Sequence, residues 1–211
     1  MLPVNNDGWV THSKVRQEHR PAIEHSPIAQ VSAVVLHRTA TANAQSVLNA
    51  WKTKKSGTHF LIAEDGTIYQ SASLKKQCWH VGQLYSRCRK ASSCSQEDAS
   101  VIEQLLHREN ASWGEKFRLV TRHELGKGYP ERFPHNHDSL GIEIVGVMSA
   151  EKKIYELPSA EQQKSLFWLV DELIRSYSLS LTDIYAHGDI AHKEPSEGKA
   201  SLDAYLVERA G

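Results

Sequence analysis

Two short apolar runs, each ending on a histidine, constrain this chain more than any other feature. Val31-Ser32-Ala33-Val34-Val35-Leu36 leads into His37-Arg38-Thr39, and Asp183-Ile184-Tyr185-Ala186 leads into His187-Gly188-Asp189. Nearly continuous apolar runs of this length read as buried strands. Strand ends form the rim of a sheet, where ligands bind in α/β folds. Two histidines at two such ends, with a carboxylate nearby, are enough protein ligands for a catalytic zinc that keeps one position open. The loop after the second histidine carries His192, Lys193, Glu194 and Glu197.

The pattern between these runs is that of an α/β chain. Ala44, Val47, Leu48 and Trp51 recur at helical spacing within Thr41 to Lys55, and Gly57 ends that helix. Thr58 to Ala63 and Thr67 to Gln70 flank Glu64-Asp65-Gly66, a hairpin signal. Cys78-Trp79-His80-Val81-Gly82 follows on a loop. Ser139 to Gly146 reads as a central strand with Glu143 embedded between Ile142 and Ile144, where a carboxylate costs desolvation energy unless paired or protonated. Ser159-Ala160-Glu161-Gln162 is a capping box that starts a helix to about Tyr177. A short helix near 200–209 ends the chain.

The predicted architecture is a mixed central β-sheet flanked by helices, a single domain over 29–211. Residues 1–28 are polar and proline-punctuated, and read as an extended arm lying on that domain. Residues 83–135 are the least regular part. One helix is expected at Glu97 to Glu109, followed by a polar stretch with Gly114, Gly126, Gly128, Pro130 and Pro134. We read this region as an insertion at the rim of the site, since long loops in compact domains are often functional.

Composition narrows the partners. The 211 residues carry a formal net charge of zero, which argues against a nucleic-acid binder. No apolar stretch approaches a membrane span. The N-terminus lacks a basic region followed by an apolar core, so no signal peptide is expected. The three cysteines, Cys78, Cys88 and Cys94, are not a disulfide framework, and three free thiols are the plainer reading. A Cys88–Cys94 pair would fit an oxidising compartment.

Five segments in order resemble the zinc-dependent N-acetylmuramoyl-L-alanine amidases of the type-2 superfamily, which includes phage lysozymes and peptidoglycan-recognition proteins. They are Val35-Leu36-His37-Arg38-Thr39-Ala40, Thr58-His59-Phe60-Leu61-Ile62, Trp79-His80-Val81-Gly82, Ser139-Leu140-Gly141-Ile142-Glu143 and Ala186-His187-Gly188-Asp189-Ile190-Ala191. The resemblance implies a mixed sheet with zinc at one edge. It implies cleavage of the amide between N-acetylmuramic acid and L-alanine in peptidoglycan or muropeptides. It makes His37 and His187 zinc ligands, Glu143 the catalytic carboxylate and Lys193 the lysine near the third ligand. It turns His80 toward substrate, with Trp79 and Thr58 beside it.

The chain departs from that pattern at the third ligand, usually Asp or Cys. Here the loop reads Lys193-Glu194-Pro195-Ser196-Glu197-Gly198. Glu197 lies ten residues after His187, the spacing of the Asp-ligand branch. Glu194 instead mimics the ligand-before-proline order, and Glu197 is favoured. Thr58 stands where many members carry a catalytic tyrosine, which leaves the general-base role to Glu143. Loss of the usual third ligand keeps open an alternative, a peptidoglycan-recognition module that binds without cutting. The expected setting is the periplasm, reached from the bacterial cytoplasm by a non-Sec route, or alternatively the cytoplasm as a wall-recycling enzyme. Either setting leaves room for an inhibitor or immunity protein.

Overall fold

A computed structural model describes residues 1–210. In chain order the strands are β1 (Val15–Gln17), β2 (Glu24–Pro27), β3 (Ala33–Arg38), β4 (Phe60–Ile62), β5 (Ile68–Gln70), β6 (Lys76–Cys78), β7 (Ser139–Ile144), β8 (Met148–Ser149), β9 (Ile154–Tyr155) and β10 (Ile184–Ala186). The helices are α1 (Ala44–Ala50), α2 (Arg87–Lys90), α3 (Gln96–Leu106), α4 (Trp113–Glu124), α5 (Ala160–Tyr177), α6 (His187–Ile190) and α7 (Lys199–Ala210).

Six strands form the central sheet in the order β1-β5-β4-β7-β3-β10. Only β4 and β5, the predicted hairpin, pair antiparallel, whereas β7 is parallel to both β4 and β3, and β10 is parallel to β3. The sheet is mixed, as the sequence pattern predicts. Its two faces follow from the two-residue period of a strand. Val34 and Leu36, Phe60 and Ile62, and Leu140, Ile142 and Ile144 pack against Leu166, Leu169, Val170 and Leu173 of α5 and Tyr205 of α7. On the opposite face Leu61 packs with Val47, Leu48 and Trp51 of α1 and its following turn. Val35 packs there with Val81, Leu84 and Ile190.

His37 shares the parity of Val35, and Glu143 that of Gly141, so both lie on the face away from α5. Register sets them side by side, His37 opposite Glu143 across β3 and β7. β10 pairs Ala186 with Leu36, so His187 emerges at the level of His37 on the next strand. Three chemistry-bearing side chains therefore come from the same end of three adjacent strands.

Three regions differ from expectation. Residues 1–28 do not merely lie on the domain: β1 forms an edge of the main sheet, and Leu2, Val10 and Val15 enter the core. The polar stretch after 109 contains α4, capped by the Ser112 side chain accepting from the Glu115 amide. A small hairpin, β8 with β9, follows β7. The capping box at Ser159 and Gln162 starts α5 as predicted. No described helix is long and apolar enough to cross a membrane.

Candidate metal and catalytic site

The loop from α6 to α7 folds back on itself. The Gly188 amide donates to the Glu197 carbonyl at 3.0 Å, and the Glu197 amide to the Glu194 carbonyl at 2.9 Å. Gly198 follows with φ of 78°, and a Cβ there would lie 2.1 Å from the Leu36 carbonyl oxygen, so only glycine lets the loop close onto β3. This turn delivers Glu197 to the two histidines. Its Oε1 is 2.6 Å from Nδ1 of His187 and 3.4 Å from Nδ1 of His37. All three residues are buried, with 2%, 2% and 9% of their surface exposed. Their ligand atoms all lie within 4.8 Å of one another. Glu194, the alternative third donor, points elsewhere and pairs with Lys153 at 3.5 Å.

The donor chemistry fits a cation. Nε2 of His187 is 2.7 Å from the Val81 carbonyl, which can only accept, so Nε2 carries the proton. A neutral His187 then presents a lone pair at Nδ1, facing a carboxylate oxygen at 2.6 Å. Two acceptors so close require a positive centre shared between them, either a proton or a metal ion. Burial and the charge of His187 lower the pKa of His37 to about 4, leaving it neutral near pH 7 as a ligand must be. Burial would raise the Glu197 carboxyl, but hydrogen bonds to His187 and His37 outweigh it and hold it well below the ordinary carboxylate range. A buried His-His-Glu group that can bind a metal ion is thus in place.

A cavity of about 470 Å³ opens over this group, lined among others by Trp51, Lys54, Trp79, Glu143 and Lys193. Glu143 is half-buried on its floor. Burial first, then the charge of Glu197, push its carboxyl up to about 8, against the opposing pull of Lys193 and Arg38. A carboxyl poised near neutrality is suited to taking and returning a proton. Glu143, Trp51 and Lys54 also border a second cavity, of about 320 Å³, over α1.

Other expected residues sit as follows. Trp79 is 48% exposed at the mouth and stacks on His25 at 3.7 Å. Thr58 lines the cavity but is buried, and its hydroxyl donates to the Phe60 carbonyl at 2.8 Å, which leaves only its acceptor lone pairs unengaged. His80 also lines the cavity, yet its Nδ1 lies 3.0 Å from Nε2 of His37. His59 is buried, held between the Gly141 amide and the Lys76 carbonyl. No residue from 83–135 lines the cavity, so the insertion flanks the loop that carries Lys193 and Glu197 instead of forming the cavity's rim. It does so through Tyr85, whose amide donates to the Ile190 carbonyl, and through Phe117, stacked on His192.

Sequence reasoning missed Asn136 and Lys54. Asn136 accepts from the amides of both His80 and Val81 through Oδ1, fixing the Trp-His-Val-Gly segment. Nothing distinguishes it in sequence from any asparagine in a polar loop. Lys54 was legible only as the end of a helix.

The profile of the N-acetylmuramoyl-L-alanine amidase family matches residues 27–200. The chain belongs to that family. Among solved structures it is similar to a mutant endolysin from Bacillus subtilis, with 20% identity, 93% of this chain and 97% of that chain covered, and a TM-score of 0.55. It is similar to AmpD, a selenomethionine derivative, with 18% identity, coverage of 97% and 99%, and a TM-score of 0.52. It is also similar to AmpDh3 from Pseudomonas aeruginosa in complex with anhydromuramic pentapeptide, with 16% identity, coverage of 97% and 66%, and a TM-score of 0.52. These likenesses establish the shared fold. Among curated protein sequences, none is significantly similar.

Proposed function

We propose that this amidase uses zinc, held by His37, His187 and Glu197, to cleave the amide between the lactyl group of N-acetylmuramic acid and L-alanine of the stem peptide. The observation that carries the reading is the convergence of those three donors beside Glu143 in one cavity. Zinc at such a site supplies Lewis acidity, polarising the amide carbonyl and acidifying water. Glu143, ionised, takes the proton of the attacking water and returns it to the leaving L-alanine nitrogen. The Lys193 ammonium, on the cavity wall, stabilises negative charge growing on the carbonyl oxygen. Trp79 at the mouth offers an apolar face to the glycan or peptide.

A recognition module that binds without cutting would follow from loss of a ligand. Glu197 in place of the usual Asp or Cys supplies that third donor and supports the catalytic reading. The test is Glu143→Ala. It should retain zinc, measured by elemental analysis, and lose release of stem peptide from muropeptides. Full activity in the zinc-loaded variant would remove Glu143 from the mechanism.

The disulfide between Cys88 and Cys94 supports work in an oxidising compartment. That favours the periplasm over cytoplasmic wall recycling. Thiol-trapping mass spectrometry of protein recovered from each compartment tests it; protein that is active while carrying free Cys88 and Cys94 would contradict the periplasmic reading.

A further inference from the structure

One short segment reaches the far nitrogens of both candidate metal histidines. The Val81 carbonyl takes Nε2 of His187 at 2.7 Å, and the neighbouring His80 ring meets Nε2 of His37 at 3.0 Å. A carbonyl leaves no choice of proton position. A histidine does, so the tautomer of His80 decides that of His37.

The surroundings of His80 fix that choice. Its Nε2 lies 3.3 Å from Oγ of Ser139, and that hydroxyl already donates to the His135 carbonyl at 2.7 Å. Ser139 therefore accepts, and His80 carries its proton on Nε2. Nδ1 of His80 is left as an acceptor, and Nε2 of His37 must donate to it. The lone pair of His37 then stands at Nδ1, the atom facing Glu197. The ring is seated against Gly141, where a Cβ would lie 2.9 Å from His80 Nδ1, and so only glycine in that strand admits it. Behind it, Asn136 grips the amides of His80 and Val81 at 3.0 and 2.9 Å.

We infer that His80 is a positioning residue for the metal site: through the chain His135 carbonyl, Ser139, His80, it fixes His37 as an Nδ1 ligand, while Asn136 holds His80 and Val81 so that both histidines are set by one segment. This rests on the zinc reading above and deepens it, replacing the expectation that His80 serves substrate. Partners behind metal-bound histidines typically account for tenfold to hundredfold in metal affinity.

The experiment is zinc affinity by competition with a chromophoric chelator, with tautomers read by long-range nitrogen–proton NMR of the zinc-loaded wild type. His80 should carry its proton on Nε2. His80→Phe should weaken zinc about tenfold or more. His80→Asn, whose amide oxygen falls near the position of Nδ1 and can still accept from His37, should recover most of the loss. Ser139→Ala, a smaller change that keeps the ring, should loosen zinc less and admit the second His80 tautomer. A proton on Nδ1 of His80 in the wild type would overturn the inference. So would His80→Phe binding zinc like wild type with only KM raised, the mark of a substrate contact. Failure of the wild type to bind zinc at all would instead strike the zinc reading itself, and this inference with it.

Discussion

Among the described residues, two clusters of histidine and carboxylate side chains look alike by composition and behave oppositely. One is His37, His187 and Glu197; the other is Asp98, His123 and Glu124, between α3 and α4. In the second cluster Lys127 puts its ammonium 2.6 Å from Asp98 and 2.8 Å from Glu124. Lys127, first among its causes, holds the Asp98 carboxyl below the ordinary carboxylate range. Lys127 shares its charge between the two carboxylates and ties the inserted helices together. In the first cluster the lone pairs converge, and the nearby Lys193 forms no ion pair with Glu197 among the described residues. The difference lies in the positive charge: Lys127 supplies it in one case, whereas the other leaves a place that could take a metal ion.

Removing the convergent carboxylate should have the largest effect. Glu197→Ala should abolish stoichiometric zinc and lower amide cleavage by about a thousandfold or more, with the two assays falling together. Activity surviving without Glu197 would return the third-ligand role to Glu194.

Glu143→Gln should lower kcat by about 10²–10⁴-fold with zinc retained. In the wild type kcat/KM should rise with pH as Glu143 ionises, through a pKa that bound dication pulls down from about 8. The same group gives a stability prediction. A carboxyl raised from 4.5 to about 8 in the folded state contributes stability below pH 4.5 that is lost as pH rises through 8. Metal-free Glu143→Gln should therefore melt higher than metal-free wild type above pH 8, and the gap should close below pH 4.5. Equal melting temperatures across that range would show that Glu143 is not strained by its setting.

In the lysine-bridged cluster, Lys127→Met strands two carboxylates, one of them fully buried on Glu124. It should cost about 3 kcal/mol in denaturant unfolding, with zinc content unchanged. Replacing Cys88 and Cys94 by serine should cost less, about 2 kcal/mol, because the loop they close is short. If either change stripped zinc from the protein, the insertion and the metal site would be one unit rather than two.

Much of the site was legible because strand geometry carries it. His37, Glu143 and His187 each end or interrupt an apolar run, and parallel register brings such positions to one edge. The third donor was less legible, because which of Glu194 and Glu197 reaches the histidines depends on a turn closed by Gly198 against β3. The role of His80 was hidden for a similar reason: the Trp-His-Val-Gly segment is visible in sequence, but Ser139, far along the chain, fixes its proton. α4 escaped notice because Gly114 and its charged face mask the pattern, although Ser112 with Glu115 and the spacing of Phe117 and Val120 were the available signal. β1 was missed because three residues are too few to show a period.

The most direct test of the account is mass spectrometry of muropeptides incubated with the purified protein, with chelator and after zinc is restored. A free peptide beginning at L-alanine should appear, vanish with chelator and return with zinc. Cleavage that persists unchanged in metal-stripped protein would contradict it.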